Sequence, residues 1–80
     1  MPDLLDQRIR SLGFPSQGKF RVFCYENVQE LLWAKGDYDD LDEAKKSADE
    51  SAKSTVYQVY SAFVYAHNGQ EVYVTGQKDV

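Results

Sequence analysis

Apolar residues fall first at helical and then at strand spacing along the chain. Leu5, Ile9 and Leu12 share one stripe of a 3.6-residue period, Asp3 stands where an N-cap would, Gly13 follows the last turn and Pro15 lies beyond it. This spacing predicts a short helix over residues 3–12. Ser16, Gln17 and Gly18 then form a polar connection, and within residues 19–25 Phe20, Val22 and Cys24 alternate against Lys19 and Arg21, the two-residue period of a half-buried strand. Glu26-Asn27 suits a tight turn, because Asn tolerates positive φ. Residues 29–35, around Leu31, Leu32 and Trp33, read as a second strand returning from that turn. Val28, Leu31 and Leu32 also meet helical spacing, so residues 28–35 fit strand or helix, with Gly36 expected to stop either one.

Asp40 stands three residues before Glu43, a capping-box variant that starts a polar helix running to about Lys53. Its expected buried stripe is Leu41, Ala44, Ala48, Ser51 and Ala52, small residues that let a helix approach a sheet with bulky side chains. Asp42 with Lys46 and Asp49 with Lys53 are i, i+4 pairs in the favourable order, each contributing ~0.3 kcal/mol on an exposed face. From residue 56 to 66 the chain turns rich in Tyr, Val and Phe, and Asn68-Gly69 signals a two-residue type I′ hairpin closed by Val72-Tyr73-Val74. That loop would pair His67 with Gln70, Tyr65 with Val72, Val64 with Tyr73 and Phe63 with Val74. Alternation fails near Ser61-Ala62, where a bulge would move Tyr57, Val59 and Tyr60 between faces.

The elements sum to an α+β chain in α-ββ-α-ββ order: a four-stranded, mainly antiparallel sheet with one main helix on one face and a short N-terminal helix. Eighty residues are too few for two cores, so residues 1–80 are expected to form one domain, with 1–18 the N-terminal helix and connection, 19–76 the ββαββ core and 77–80 a tail.

Composition narrows the function classes. Apolar residues make 42% and charged residues 28% of the chain, globular proportions, and six Tyr, four Phe and Trp33 give a short chain the buried area a core needs. No apolar run reaches the ~18 residues of a membrane span, and the charged segment MPDLLDQRIR is unlike a secretion signal, so a cytoplasmic protein without a membrane partner is expected. Lone Cys24 cannot form an internal disulfide. The net charge of −4 is local: Asp37, Asp39, Asp40, Asp42 and Glu43 supply −5, leaving +1 for the remainder. An acidic chain is a poor phosphate-backbone binder.

Three features bear on chemistry. The DYDDLDE segment at residues 37–43 holds the ligand type hard cations take, yet it lacks the Gly and the closing Glu of an EF-hand, and carboxylates gather at a helix N-terminus for the sake of its unpaired N–H groups. No metal and no cofactor is expected. Cys24 and His67 are the only thiol and imidazole, with Cys24 on the apolar alternation and His67 at a turn, so no catalytic pair and no enzyme is expected. The third feature is the sheet. If Phe20, Val22, Cys24, Phe63, Tyr65, Val72 and Val74 face the main helix, alternation sends Arg21, Phe23, Tyr25, Val64 and Tyr73 to the other face. That face is aromatic. Either the N-terminal helix covers it, or it binds a second copy or another protein, Tyr, Phe and Arg being interface residue types. The leading expectation is a non-enzymatic protein-interaction or regulatory module acting through this face, with the acidic segment steering a partner. The alternatives are single-stranded nucleic-acid binding by Lys19, Arg21, Phe23, Tyr25 and Tyr73, and a phosphate-mimicking acidic inhibitor of a nucleic-acid-binding protein.

Overall fold

A computed structural model describes residues 4–26, 28–53 and 61–76. Helix α1 spans Leu4–Leu12, strand β1 Phe20–Glu26, strand β2 Leu31–Tyr38, helix α2 Leu41–Lys53, strand β3 Ser61–Ala66 and strand β4 Glu71–Gly76. The strands form one antiparallel sheet in the order β2-β1-β3-β4. Strands β2 and β3 each run antiparallel to β1 between them, so α2 links two parallel strands by crossing over the sheet.

Local chemistry sets the element ends. Gly13 stops α1 at φ 96°, its N–H donating to the carbonyls of Ile9 and Arg10 at 3.2 Å each, the left-handed stop that glycine adopts without a Cβ clash. Asp3, expected as the N-cap, lies outside the described residues. Asp40 accepts the Ala44 N–H at 3.0 Å through its carbonyl, which makes it the residue that opens α2. The stripe α2 buries is Ala44, Ser47, Ala48 and Ser51, with Leu41 and Ala52 half-buried; Ser47 was not anticipated.

Three expectations are corrected. Residues 31–38 are strand, so the helical alternative fails, and Gly36 does not end β2. It sits inside the strand opposite Val22, while Ala34 lies opposite Phe23, leaving Lys35 as the extra residue of a bulge. Glu26-Asn27 is not a two-residue turn: Glu26 is the last residue of β1 and pairs with Leu31. Its buried carboxylate accepts the N–H groups of Val28 at 2.5 Å and Gln29 at 3.1 Å, and the loop closes with Glu30 in the left-handed region at φ 57°.

The second hairpin also has a longer loop than expected. Ala66 donates to Gln70 at 2.9 Å and Gly69 donates to Ala66 at 3.0 Å, so the loop is His67-Asn68-Gly69, with Gly69 at φ 86° and the Asn68 side chain accepting the Gln70 N–H. Type I′ needs positive φ at both central residues; here glycine alone supplies it, giving the three-residue alternative. Phe63 still pairs with Val74 and Val64 with Tyr73, because Val72 bulges out and Tyr65 meets Glu71 in place of Val72. No bulge lies at Ser61-Ala62: both pair in regular register, with Tyr25 and Cys24 on one side and Gly76 and Thr75 on the other, while Tyr57, Val59 and Tyr60 lie outside the described residues.

Two cores result, one on each face. Val22, Cys24, Ala62 and Val64 meet Ala44 and Ala48 of α2, flanked by Phe20, Trp33, Tyr38, Val72 and Tyr73. Phe23, Tyr25, Phe63 and Tyr65 meet Ile9 of α1, flanked by Leu5, Phe14, Leu32 and Val74. The expected faces therefore hold for β1 and are exchanged for Phe63, Val64, Tyr65, Tyr73 and Val74. Paired residues of adjacent strands share a face, and Phe23 pairs with Phe63; alternation within one strand cannot fix its register against another distant in sequence.

Candidate functional site

The aromatic face expected to bind a partner is the floor beneath α1. Phe23 and Tyr25 are buried there, and Arg21 lies at its margin, its guanidinium donating to the carbonyl of Gly13 at 3.2 Å and to both carboxylate oxygens of Asp37 at 2.6 and 2.9 Å. Val64 and Tyr73 belong to the opposite face. Val64 is buried beneath α2, and the Tyr73 hydroxyl donates to Asp49 of α2 at 2.7 Å with the Lys45 ammonium 5.4 Å from its ring centroid. The five residues thus form no common surface.

The acidic segment is divided as well. Asp37 is in β2, Asp39 and Asp40 join β2 to α2, and Asp42 and Glu43 occupy the first turn of α2. Asp37 is held by Arg21, whose hydrogen bonds keep its carboxyl below the ordinary carboxylate range, and Asp39 accepts from Lys19. The two cations considered for phosphates therefore neutralise two of the five carboxylates considered for steering, Asp37 and Asp39. Among the described residues no three His, Cys, Asp or Glu side chains converge as metal ligands. Cys24 is buried on the α2 face, where burial raises its thiol pKa, while exposed His67 follows Ala66, the partner of Phe20 at the start of β1.

The surface that remains apolar lies elsewhere. Leu12, Val28 and Leu31 are the large hydrophobic residues left exposed among the described ones, at 46%, 79% and 49%. Leu12 ends α1, Val28 lies in the β1–β2 loop and Leu31 directly follows it, and α1 touches this loop through a hydrogen bond from the Arg8 guanidinium to the Glu30 carbonyl at 2.7 Å. Between α1 and β2 lies a shallow groove of about 230 Å3 lined by Arg8, Ser11, Leu12 and Leu32. Strand β2 is an edge of the sheet, and among the described residues no strand pairs with its outer row of backbone groups. Its second half carries the Lys35 bulge, Lys35 and Asp37, devices that discourage strand addition; its first half, Leu31 to Trp33, carries none.

Sequence reasoning misses this corner because spacing puts Leu12 on the stripe of a covering helix and places Val28 and Leu31 in a strand or helix without fixing the face they present. Leu31-Leu32 carries part of the signal: neighbouring residues of a strand point to opposite faces, so Leu32 turns to the α1 side and Leu31 to the α2 side at the end of an edge strand. No helix among the described residues is long and apolar enough to cross a membrane. Comparison of the chain with known protein families, curated proteins and solved structures found no match.

Proposed function

We propose that the chain is a non-enzymatic protein-interaction module that docks another protein at the corner formed by the end of α1, the β1–β2 loop and the open half of edge strand β2. The observation carrying this reading is the groove in which Leu12 of α1 meets Leu32 in the first half of edge strand β2, with Val28 and Leu31 exposed at the same end of that strand. An extended partner segment adding to an edge gains main-chain hydrogen bonds for affinity and side-chain pockets for specificity. Leu12 and Leu32 offer such a pocket, and Arg8 and Ser11 supply polar groups at its rim. The groove brings together no nucleophile and base, which supports binding over catalysis. The aromatic face is occupied within the chain, and Lys19 and Arg21 are engaged by Asp39 and Asp37, which weighs against base stacking and phosphate binding there.

The test compares proteins retained by the immobilised native chain with those retained by a Leu12→Lys/Leu31→Lys variant, with sedimentation equilibrium of both to detect self-association. A partner, or a second copy, held by the native chain and lost by the variant is the expected result. Identical retention and identical mass across concentration would remove the corner from the interaction.

A further inference from the structure

Helix α1 runs into β1 through residues 13–19, where Gly13 and Gly18 turn the chain back at φ 96° and 85° and residues 16–18 are exposed. Its hold is narrow: Ile9 is its one fully buried side chain among the described residues, Leu5 is half-buried and Leu12 is exposed. Polar ties complete the attachment. The Tyr65 hydroxyl donates to Asp6 at 3.0 Å, Arg8 reaches the Glu30 carbonyl, and Arg21 reaches the Gly13 carbonyl. Beneath it lies a continuous layer of Phe23, Tyr25, Phe63 and Tyr65, residue types that serve protein interfaces when uncovered.

We propose that α1 is an exchangeable cover, and that the aromatic face accepts the α1 helix of a second copy of the chain. The contacts of the face define its occupant: it already fits a helix with aliphatic residues at the Leu5–Ile9 spacing and an aspartate one residue after the first, placed to receive the Tyr65 hydroxyl. Exchange between copies recreates each of these contacts and requires residues 13–19 to open, with Phe14 released from its stack on Tyr65. A helix held by few buried groups belongs to the low-stability end of a structure, where local opening precedes global unfolding. The inference concerns the face under the helix, and exchange would carry Arg8, Ser11 and Leu12, the α1 side of the docking groove, to the second copy.

The experiment uses the full chain and a fluorescent peptide of residues 1–18, with binding read by anisotropy. Ile9→Asp in the full chain removes the anchor of its own cover, and near-ultraviolet circular dichroism and Trp33 fluorescence report whether the α2 face stays intact. The Ile9→Asp chain is expected to bind the native peptide about tenfold more tightly than the native chain does, because its acceptor face is open in a larger fraction of molecules. A peptide carrying the same substitution is expected to bind neither. No saturable binding to a folded Ile9→Asp chain overturns the proposal. If Ile9→Asp abolishes the fold, Ile9→Ala decides: tighter peptide binding supports exchange, and unchanged binding or loss of the sheet shows that α1 is an inseparable part of the core.

Discussion

The two faces of the sheet solve the same burial problem in opposite ways. On the α2 side the helix presents alanines and serines, so its axis lies close to Val22, Cys24, Ala62 and Val64, and polar side chains secure it at both sheet edges. Tyr38 meets the Ser47 hydroxyl at 2.8 Å, the Lys35 ammonium donates to the Ser47 carbonyl, and Tyr73 donates to Asp49. On the α1 side the bulk belongs to the sheet: Phe23, Tyr25, Phe63 and Tyr65 fill the layer, with Phe14 stacked on Tyr65 at 5.9 Å and Phe23 meeting its edge at 5.7 Å. A short helix closes this layer with one isoleucine. Small-on-helix packing is intolerant of added volume; large-on-sheet packing is intolerant of its loss.

Substitutions of opposite kind should expose that asymmetry. Phe23→Ala removes the centre of the aromatic layer, and the neighbouring strands cannot close the gap; a loss of ~3–5 kcal/mol is expected in urea unfolding. Ala48→Leu adds volume where α2 approaches the sheet and should cost ~1–3 kcal/mol by the same measurement. Exchanging the experiments, with a smaller effect for Phe23→Ala than for Ala48→Leu, would refute the division of roles.

Finer effects sharpen the same contrast on the α1 side. Gly69 touches Phe14, and a Cβ built there would stand 3.0 Å from that ring at a φ of 86°. Gly69→Ala should therefore lower stability by about 1 kcal/mol or more through backbone strain and a displaced ring. Tyr65→Phe removes the hydrogen bond to Asp6 and should cost ~1 kcal/mol. Burial and the Asp6 carboxylate raise the Tyr65 pKa, whereas a tyrosine in the unfolded chain ionises near pH ~10. The unfolded state thus releases its proton first, stability falls as pH rises above ~10, and the phenylalanine variant should lack that component.

The smallest effect is at acid pH. Asp6, through its hydrogen bond from Arg10, and Asp37, through Arg21, are held below the usual carboxylate range. Their contribution is complete above the unfolded value of about 4 and is lost as pH falls through the lower folded values. Thermal melts of Asp6→Asn and Asp37→Asn between neutral pH and pH ~2 should show a shallower acid decline than the native chain.

Local signals made much of this architecture legible. Gly13 after the Leu5, Ile9, Leu12 stripe marked the end of α1, the Phe20-Val22-Cys24 alternation oriented β1, and Asn68-Gly69 located the second hairpin. What the sequence hid was relational. The pairing of Phe23 with Phe63 decides which face β3 presents, yet it depends on strands separated by a whole helix. The Lys35 and Val72 bulges follow from pairing between strands, which no single strand encodes. The candidate site suffered most, because Lys19 and Arg21 read as free cations until the fold placed Asp39 and Asp37 against them.

Cys24 turns this division into a reporter. Its thiol is buried on the α2 side, and burial disfavours the thiolate that reacts with electrophiles. Lifting α1 uncovers the other side of β1 and leaves this sulfur sheltered, whereas separating α2 from the sheet exposes it. The rate at which a small alkylating reagent consumes the native thiol is therefore a clock for one face alone, and any opening confined to the aromatic side passes without advancing it.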